Sequence, residues 1–200
     1  MANRALLIAC GALAHELVDI LRRNEWEYIR VQCLPAELHN RPEEIPGAVA
    51  EAIEKYRDDY DNIFVAYADC GTGGQLDRVL EKYNVDRIPG AHCYEFFAGA
   101  EAFGELSESE PGTFYLTDFL VRHFDRLVIK GLGLDRHPEL KTQFFGNYRK
   151  VAFLAQSGST DLSMLAERHA EYLGLEFVEH RTGLSPVENI ITEQVVTWQN

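Results

Sequence analysis

The chain has 200 residues, of which 46% are hydrophobic, and a formal net charge of -13. A chain of this length can bury a real core, and it fits one large domain or two small halves better than a peptide or a repeat array. The chain has 32 acidic and 19 basic residues. The resulting negative field repels phosphate backbones, so we expect no nucleic-acid partner.

Apolar runs in the sequence are all too short to place the chain in a membrane. None approaches the roughly 20 residues of a membrane span, and the run over 5–10 is shorter than the apolar region of a signal peptide. We therefore expect a cytoplasmic protein with no membrane partner. The pattern carries no signal for an oligomeric state.

The first half of the chain alternates short apolar runs with segments of helical periodicity. The predicted strands are 5–9, 28–33 and 62–70, with a short extended stretch that ends at 91–93, and the predicted helices are 12–23, 47–58 and 75–83. A strand, a helix and a second strand in succession form a βαβ unit.

The middle of the chain predicts helices on both sides of a loop at 107–112, the second with Phe114 and Phe119 on or near its core face. After it come a strand at 150–156, a helix at 161–173, a strand at 176–180 and a helix following Pro186. The predicted class is α/β: a mostly parallel sheet of repeated βαβ (Rossmann-like) units, with helices on both faces and a helical insertion.

We divide the chain into an N-terminal βαβ half over 1–106, which holds the cysteines, and a remainder over 107–200. The remainder combines the helical segment with a C-terminal βαβ half, and both parts pack as one globular unit.

The four cysteines are regularly spaced. Cys33 follows Cys10, and Cys93 follows Cys70, by the same 23 positions (33 − 10 and 93 − 70). Both pairs begin with Cys-Gly, a short turn and a Leu-x-x-[Ile/Val]-Leu pattern, and Ser157 and His180 repeat the spacing once more. An internal repeat explains this similarity, but so does the ordinary length of any compact βαβ unit.

All four cysteines follow or end predicted parallel strands, which places them at the carboxyl edge of the sheet, where open α/β sheets build their sites. Gly11 and Gly71 allow a sharp turn and close approach of a ligand. The sequence predicts a zinc ion or an iron-sulfur cluster on Cys10, Cys70 and Cys93, with Cys33 and His39 as candidates for a remaining position, although there is no CxxC motif.

Three other uses of these thiols stay open. One cysteine alone is sufficient for a nucleophile, two that approach within bridging distance form a redox pair, and buried cysteines often only pack. A second candidate site is the turn Ser157, Gly158 and Ser159, whose N–H groups suit a small anion, although a plain helix N-cap explains it better. "GLGLDRHP" lacks the dinucleotide spacing, so we predict neither NAD nor ATP.

Several phrases, in this order, carry a family resemblance: "ACGALAHEL", "LPAELHNRPEEI", "AYADCGTGG", "HCYEFFAG", "PGTFYLTDFL" and "GLGLDRHPEL". On them the chain resembles domain-of-unknown-function family 1638, an uncharacterised prokaryotic family. The resemblance implies an association with corrinoid-dependent methyltransferase systems, and hence corrinoid or methyltransferase proteins as partners.

The function expected from the residues and the resemblance together is that of a metal- or iron-sulfur-binding protein accessory to one-carbon and corrinoid methyl-transfer metabolism. The alternatives are a binding module for a small anion or a corrinoid, whose cysteines only pack, and a thiol-dependent enzyme.

Overall fold

The computed structural model describes residues 4–199. The strands are β1 (Ala5–Cys10), β2 (Ile29–Leu34), β3 (Asn62–Ala66), β4 (Asp86–Arg87), β5 (Thr113–Thr117), β6 (Lys150–Ala155) and β7 (Glu176–Arg181). The α-helices are α1 (Ala14–Arg23), α2 (Ile45–Tyr56), α3 (Gln75–Tyr83), α4 (Cys93–Ala98), α5 (Ala100–Ser109), α6 (Asp118–Arg122), α7 (Leu140–Phe145), α8 (Thr160–Leu173) and α9 (Ser185–Gln199). A π-helical turn covers Asp125–Lys130.

The chain forms two compact units. The first comprises the described residues up to Phe96 together with those from Val187 onward, and the second is Phe97–Pro186. The first unit ends after Phe96, ten residues before the predicted boundary between residues 106 and 107. Most of the C-terminal helix belongs to the first unit.

The first unit contains a four-stranded parallel sheet in the order β2-β1-β3-β4. Every residue of β1 is buried. Its unbroken apolar sequence is typical of a central strand that is covered on both faces of the sheet. The strand order reverses between β1 and β3, because the chain moves outward from β1 to β2 and then returns to add β3 on the other side. Crevices for ligands in open α/β sheets form at such a reversal, at the carboxyl ends of the strands.

The second unit contains a three-stranded parallel sheet in the order β5-β6-β7, without a reversal. The predicted helix that carried Phe114 is wrong, because residues 113–117 form β5 and pair with β6. Its sequence, TFYLT, is rich in aromatic and β-branched residues, which pack well on a pleated surface. The helix begins only after Thr117, whose hydroxyl accepts a hydrogen bond from the Leu120 N–H at 3.3 Å.

Both sheets are purely parallel and are surrounded by helices, so the predicted mostly parallel α/β fold is confirmed. Among residues 4–199, no helix combines the length and apolar character needed to cross a membrane.

Candidate functional site

Cys70 and Cys93 meet at the carboxyl edge of the first sheet, with their Sγ atoms 2.9 Å apart. The two loops that carry them are joined by backbone hydrogen bonds. The Asp69 N–H donates to the Gly90 carbonyl at 3.1 Å, and the Cys70 N–H donates to the Ala91 carbonyl at 2.8 Å. The contact between the thiols is therefore fixed by the backbone on both sides.

The loop after β3 is closed on itself by Asp69. Its carboxylate accepts hydrogen bonds from the Thr72 hydroxyl at 2.7 Å and from the N–H groups of Gly73 and Gly74 at 3.0 and 2.8 Å. Partial desolvation opposes these bonds, but they lower the pKa of Asp69. Because the N–H groups of this glycine-rich turn are already satisfied, they hold the loop rather than face a ligand.

Two backbone features of the same loop bring Cys70 to its position. Cys70 itself adopts a left-handed conformation, with φ of 49°, and Gly71 follows at 85°. Such a conformation is costly for a residue with a side chain, so the surrounding hydrogen bonds must impose it.

Arg87 holds the second loop. Its guanidinium binds both carboxylate oxygens of Asp77, at 2.6 and 3.0 Å, and donates to the carbonyls of Ile88 and Gly90 at 2.7 and 3.3 Å. Since the Gly90 carbonyl also accepts from Asp69, one arginine links α3 to both cysteine-bearing loops. A planar guanidinium with several fixed donors is suited to this role.

Cys10 ends β1 and lies near the pair, but it is buried, with 6% of its surface exposed. Burial raises the pKa of the Cys10 thiol to about 11, and the neighbouring thiols of Cys70 and Cys33 add to the increase.

Tyr67 was not predicted as a site residue, yet its side chain is buried beside the three thiols. Its hydroxyl forms no hydrogen bond of normal geometry with any residue in 4–199. Burial raises the pKa of Tyr67, with Cys10, Cys93 and Cys70 contributing electrostatically. Sulfur is a weak acceptor, so this buried hydroxyl lacks a good partner within the described chain.

The two contacting thiols differ in acidity. Hydrogen bonding from Cys93 outweighs desolvation and lowers the pKa of Cys70, with help from the backbone N–H of Cys93. The same contact and burial raise the pKa of Cys93 well above the ordinary value. When the pair loses its first proton, Cys70 is therefore the side that becomes the thiolate.

Cys33 leaves the sheet on the opposite face from Cys10. Its register partner on β1 is Ala9, whereas Cys10 pairs with Leu34, and paired residues of parallel strands point to the same side. Burial raises the pKa of Cys33.

His39 lies on the same edge as the pair, in the short helical turn after β2. Its Nε2 is 3.4 Å from the hydroxyl of Tyr94, the residue that follows Cys93. Desolvation of the ring lowers the pKa of His39, and the nearby His92 lowers it further.

The two predicted glycines belong to the same edge. A Cβ on Gly11 would lie 2.9 Å from the Leu34 carbonyl oxygen, which shows how closely the turn after β1 passes the end of β2. The structure therefore brings Cys10, Cys70, Cys93 and His39 to one edge of the sheet and turns Cys33 away. In the part of the chain from 4 to 199, no group of three or more His, Cys, Asp or Glu side chains has the spacing of a formed metal site.

The second unit carries the predicted anion turn of Ser157, Gly158 and Ser159. The Ser159 hydroxyl caps α8 by accepting from the Leu162 N–H at 3.4 Å. The N–H groups of Gln156 and Ser157 both donate to the carboxylate of Asp118, at 3.0 Å each. Within the predicted turn, the Ser157 N–H is therefore committed to the Asp118 carboxylate, and the Ser159 hydroxyl to the helix cap.

Comparison with known proteins gives one match. The family described as Protein of unknown function (DUF1638) matches residues 33–191, a span that includes Cys70 and Cys93 and starts after Cys10. Neither a curated protein nor a solved structure matches this chain.

Proposed function

This chain belongs to the DUF1638 family, and we propose that it binds a zinc ion or an iron-sulfur cluster through Cys10, Cys70 and Cys93. The observation that carries the proposal is the convergence of three thiols and a buried phenol at the strand reversal of a parallel sheet. Thiolates are the preferred ligands of both groups, and such a reversal is where α/β proteins place their ligands.

The spacing of the thiol pair agrees with this proposal if the two sulfurs separate slightly. Two ligands on one tetrahedral zinc ion, each about 2.3 Å from the metal, lie about 3.8 Å apart. The Sγ atoms of Cys70 and Cys93 are 2.9 Å apart, so they would have to move about 0.9 Å further apart to hold one zinc ion.

The third ligand, Cys10, must lose a proton that burial holds with a pKa of about 11. A bound cation supplies the opposite charge that this deprotonation needs, because a coordinated thiol ionises well below its free pKa. The Tyr67 hydroxyl would then gain a thiolate as hydrogen-bond acceptor in place of a neutral thiol.

His39 is the remaining candidate ligand, since its lowered pKa keeps the imidazole neutral and available for coordination. Cys33 emerges on the other face of the sheet, although its thiol is near enough to add to the raised pKa of Cys10, and we assign it no ligand role. It is therefore the natural control cysteine.

The test is elemental analysis with a visible spectrum on protein purified without oxygen and without metal-affinity resin. We expect near-stoichiometric zinc or iron in the wild type and in Cys33→Ser, and its loss in the Cys10→Ala, Cys70→Ala double variant. Metal-free wild type that is folded would refute the proposal, and a brown colour would identify a cluster.

The association with corrinoid-dependent methyltransferase systems that the family resemblance implies leads to a finer proposal: the metal-bound protein assists one-carbon and corrinoid methyl-transfer metabolism. A titration with a purified corrinoid protein, followed by native mass spectrometry, tests it. A complex that forms with the wild type and not with the double variant supports a role for the thiol site, and no complex with either refutes the partner.

A further inference from the structure

We propose that Cys70 and Cys93 form a redox-active dithiol that reduces disulfides and closes to a disulfide itself. This activity goes beyond metal binding and needs no bound metal. It rests on the contact of two thiols 2.9 Å apart on loops that are fixed to each other by the backbone.

The geometry favours closure of this pair over any other pair of cysteines in the chain. Its sulfurs are in contact, while Cys10 is buried behind them and Cys33 is on the other face of the sheet. Both Cys70 and Cys93 are partly exposed, which a thiol that meets a substrate disulfide requires. The hydrogen bonds from Asp69 and Cys70 to Gly90 and Ala91 preorganise the two loops, so little chain entropy is lost on closure.

Cys70 is the attacking residue and Cys93 the resolving one. The Cys70 sulfur contacts the Cys93 thiol at 2.9 Å and also lies against the Cys93 backbone N–H, and these two donors favour a thiolate on Cys70. The thiolate is the nucleophile in thiol-disulfide exchange, and Cys93, in contact with it, is placed to attack second.

In the first step, the Cys70 thiolate attacks one sulfur of the substrate disulfide. A new bond forms between the Cys70 sulfur and the attacked sulfur, the substrate disulfide bond breaks, and the departing substrate thiolate takes up from solvent the proton that Cys70 had released on ionising. In the second step Cys93 loses its proton and attacks the Cys70 sulfur, which releases the second substrate thiolate to be protonated. Two electrons pass from the dithiol to the disulfide, and one disulfide becomes two thiols.

The experiment uses the full chain, reduced and stripped of metal with a chelator, and glutathione disulfide as the probe. After an acid quench and alkylation of free thiols, peptide mass spectrometry identifies each linkage. We expect the wild type and Cys33→Ser to form the Cys70–Cys93 disulfide without retaining glutathione. Cys93→Ser should stop at a glutathione adduct on Cys70, and Cys70→Ser should form neither product.

A wild-type protein that forms no Cys70–Cys93 linkage across a glutathione redox series, while circular dichroism shows it folded, overturns the proposal. An adduct in Cys93→Ser that forms on Cys10 or Cys33 instead of Cys70 also overturns it. Because the protein is metal-free here, failure of the metal proposal leaves this result unchanged, and failure of the dithiol leaves the metal analysis unchanged.

Discussion

The four cysteines near the carboxyl edge of the first sheet differ in the pKa of their thiols. Burial raises the pKa of Cys10 to about 11, so this thiol keeps its proton at pH 7. The pKa values of Cys33 and Cys93 are also raised, whereas the hydrogen bond from Cys93 lowers the pKa of Cys70.

We therefore predict that a brief pulse of iodoacetamide at pH 7 alkylates Cys70 before the other cysteines of the metal-free protein. The rate at Cys70 should reach its plateau below the pH at which an ordinary thiol does, because the thiolate is the reacting form. Peptide mass spectrometry over a pH series measures this order. Faster labelling of Cys33 than of Cys70 would contradict it.

Asp118 plays in the second unit the structural role that Asp69 plays in the first, but it is almost fully buried. Its carboxylate accepts from the N–H groups of Gln156 and Ser157, and its own N–H donates to the Gln156 side chain at 2.8 Å. Removing the carboxylate leaves two N–H groups without acceptors.

Asp118→Ala should accordingly destabilise the second unit by about 2–5 kcal/mol, and Asp118→Asn, which retains one acceptor oxygen, by less. The control is Asp125→Ala, which removes only an exposed ion pair with Lys130. Trp26 and Trp198 both belong to the first unit, so hydrogen exchange of β6 amides is the measurement. Equal exchange in Asp118→Ala and Asp125→Ala would show that the carboxylate is not structural.

At the scale of elements, the turn that ends β1 depends on close backbone contact. A Cβ at Gly11 would lie 2.9 Å from the Leu34 carbonyl oxygen and 3.3 Å from the Ala36 nitrogen, both backbone atoms that cannot rotate away. Gly47, in α2, has open space around the same position.

Gly11→Ala should lower the free energy of unfolding of the first unit by about 1–3 kcal/mol, through overpacking. Gly47→Ala should raise it by about 0.5–1 kcal/mol, because alanine loses less entropy in a helix. Tryptophan fluorescence in a urea titration measures both. Gly11→Ala with wild-type stability would mean that the turn is not closely packed against β2.

Elements with a clear period were predictable from the sequence, and those that depend on a partner were not. The apolar runs predicted β1, β3 and β6, whereas β5 was predicted as helix because the helical spacing of Leu120, Phe124 and Leu127 was extended back to Phe114. The cysteine spacing predicted the crowded edge of the sheet. Cys33, however, pairs with Ala9 and not with Cys10, so it emerges on the other face of the sheet. Spacing along the sequence does not reveal this offset of one residue.

Single polar residues within apolar sequence were the hardest to predict. Tyr67 and Asp118 stand in "FVAYADC" and "YLTDFLV", where nothing in the local pattern distinguishes them from ordinary core or cap residues. Their roles arise from tertiary contacts with Cys10 and with the backbone of Gln156 and Ser157.

At the scale of the whole molecule, the first unit is assembled from two separate stretches of chain. The chain leaves the first unit after Phe96 and returns to it at Val187, so the second unit is inserted in sequence before the last helix of the first unit, α9. The Glu188 carboxylate accepts from Asn24 at 2.7 Å and pairs with Arg23 at 3.4 Å, which ties the start of α9 to the end of α1. The net charge of -13 gives the chain as a whole a field that attracts cations and repels anions.

Three apolar side chains one or two turns apart fix α9 in the first unit: Val187 and Ile191 are 0% exposed and Val195 is 2% exposed. Ile191→Ala should therefore lower the free energy of unfolding of this unit by about 2–4 kcal/mol, through lost burial and the cavity left behind. Val196→Ala, on the same helix but 50% exposed, should change it by less than about 1 kcal/mol. Urea titration monitored by fluorescence compares the two, and equal losses would mean that α9 does not complete the core of the first unit.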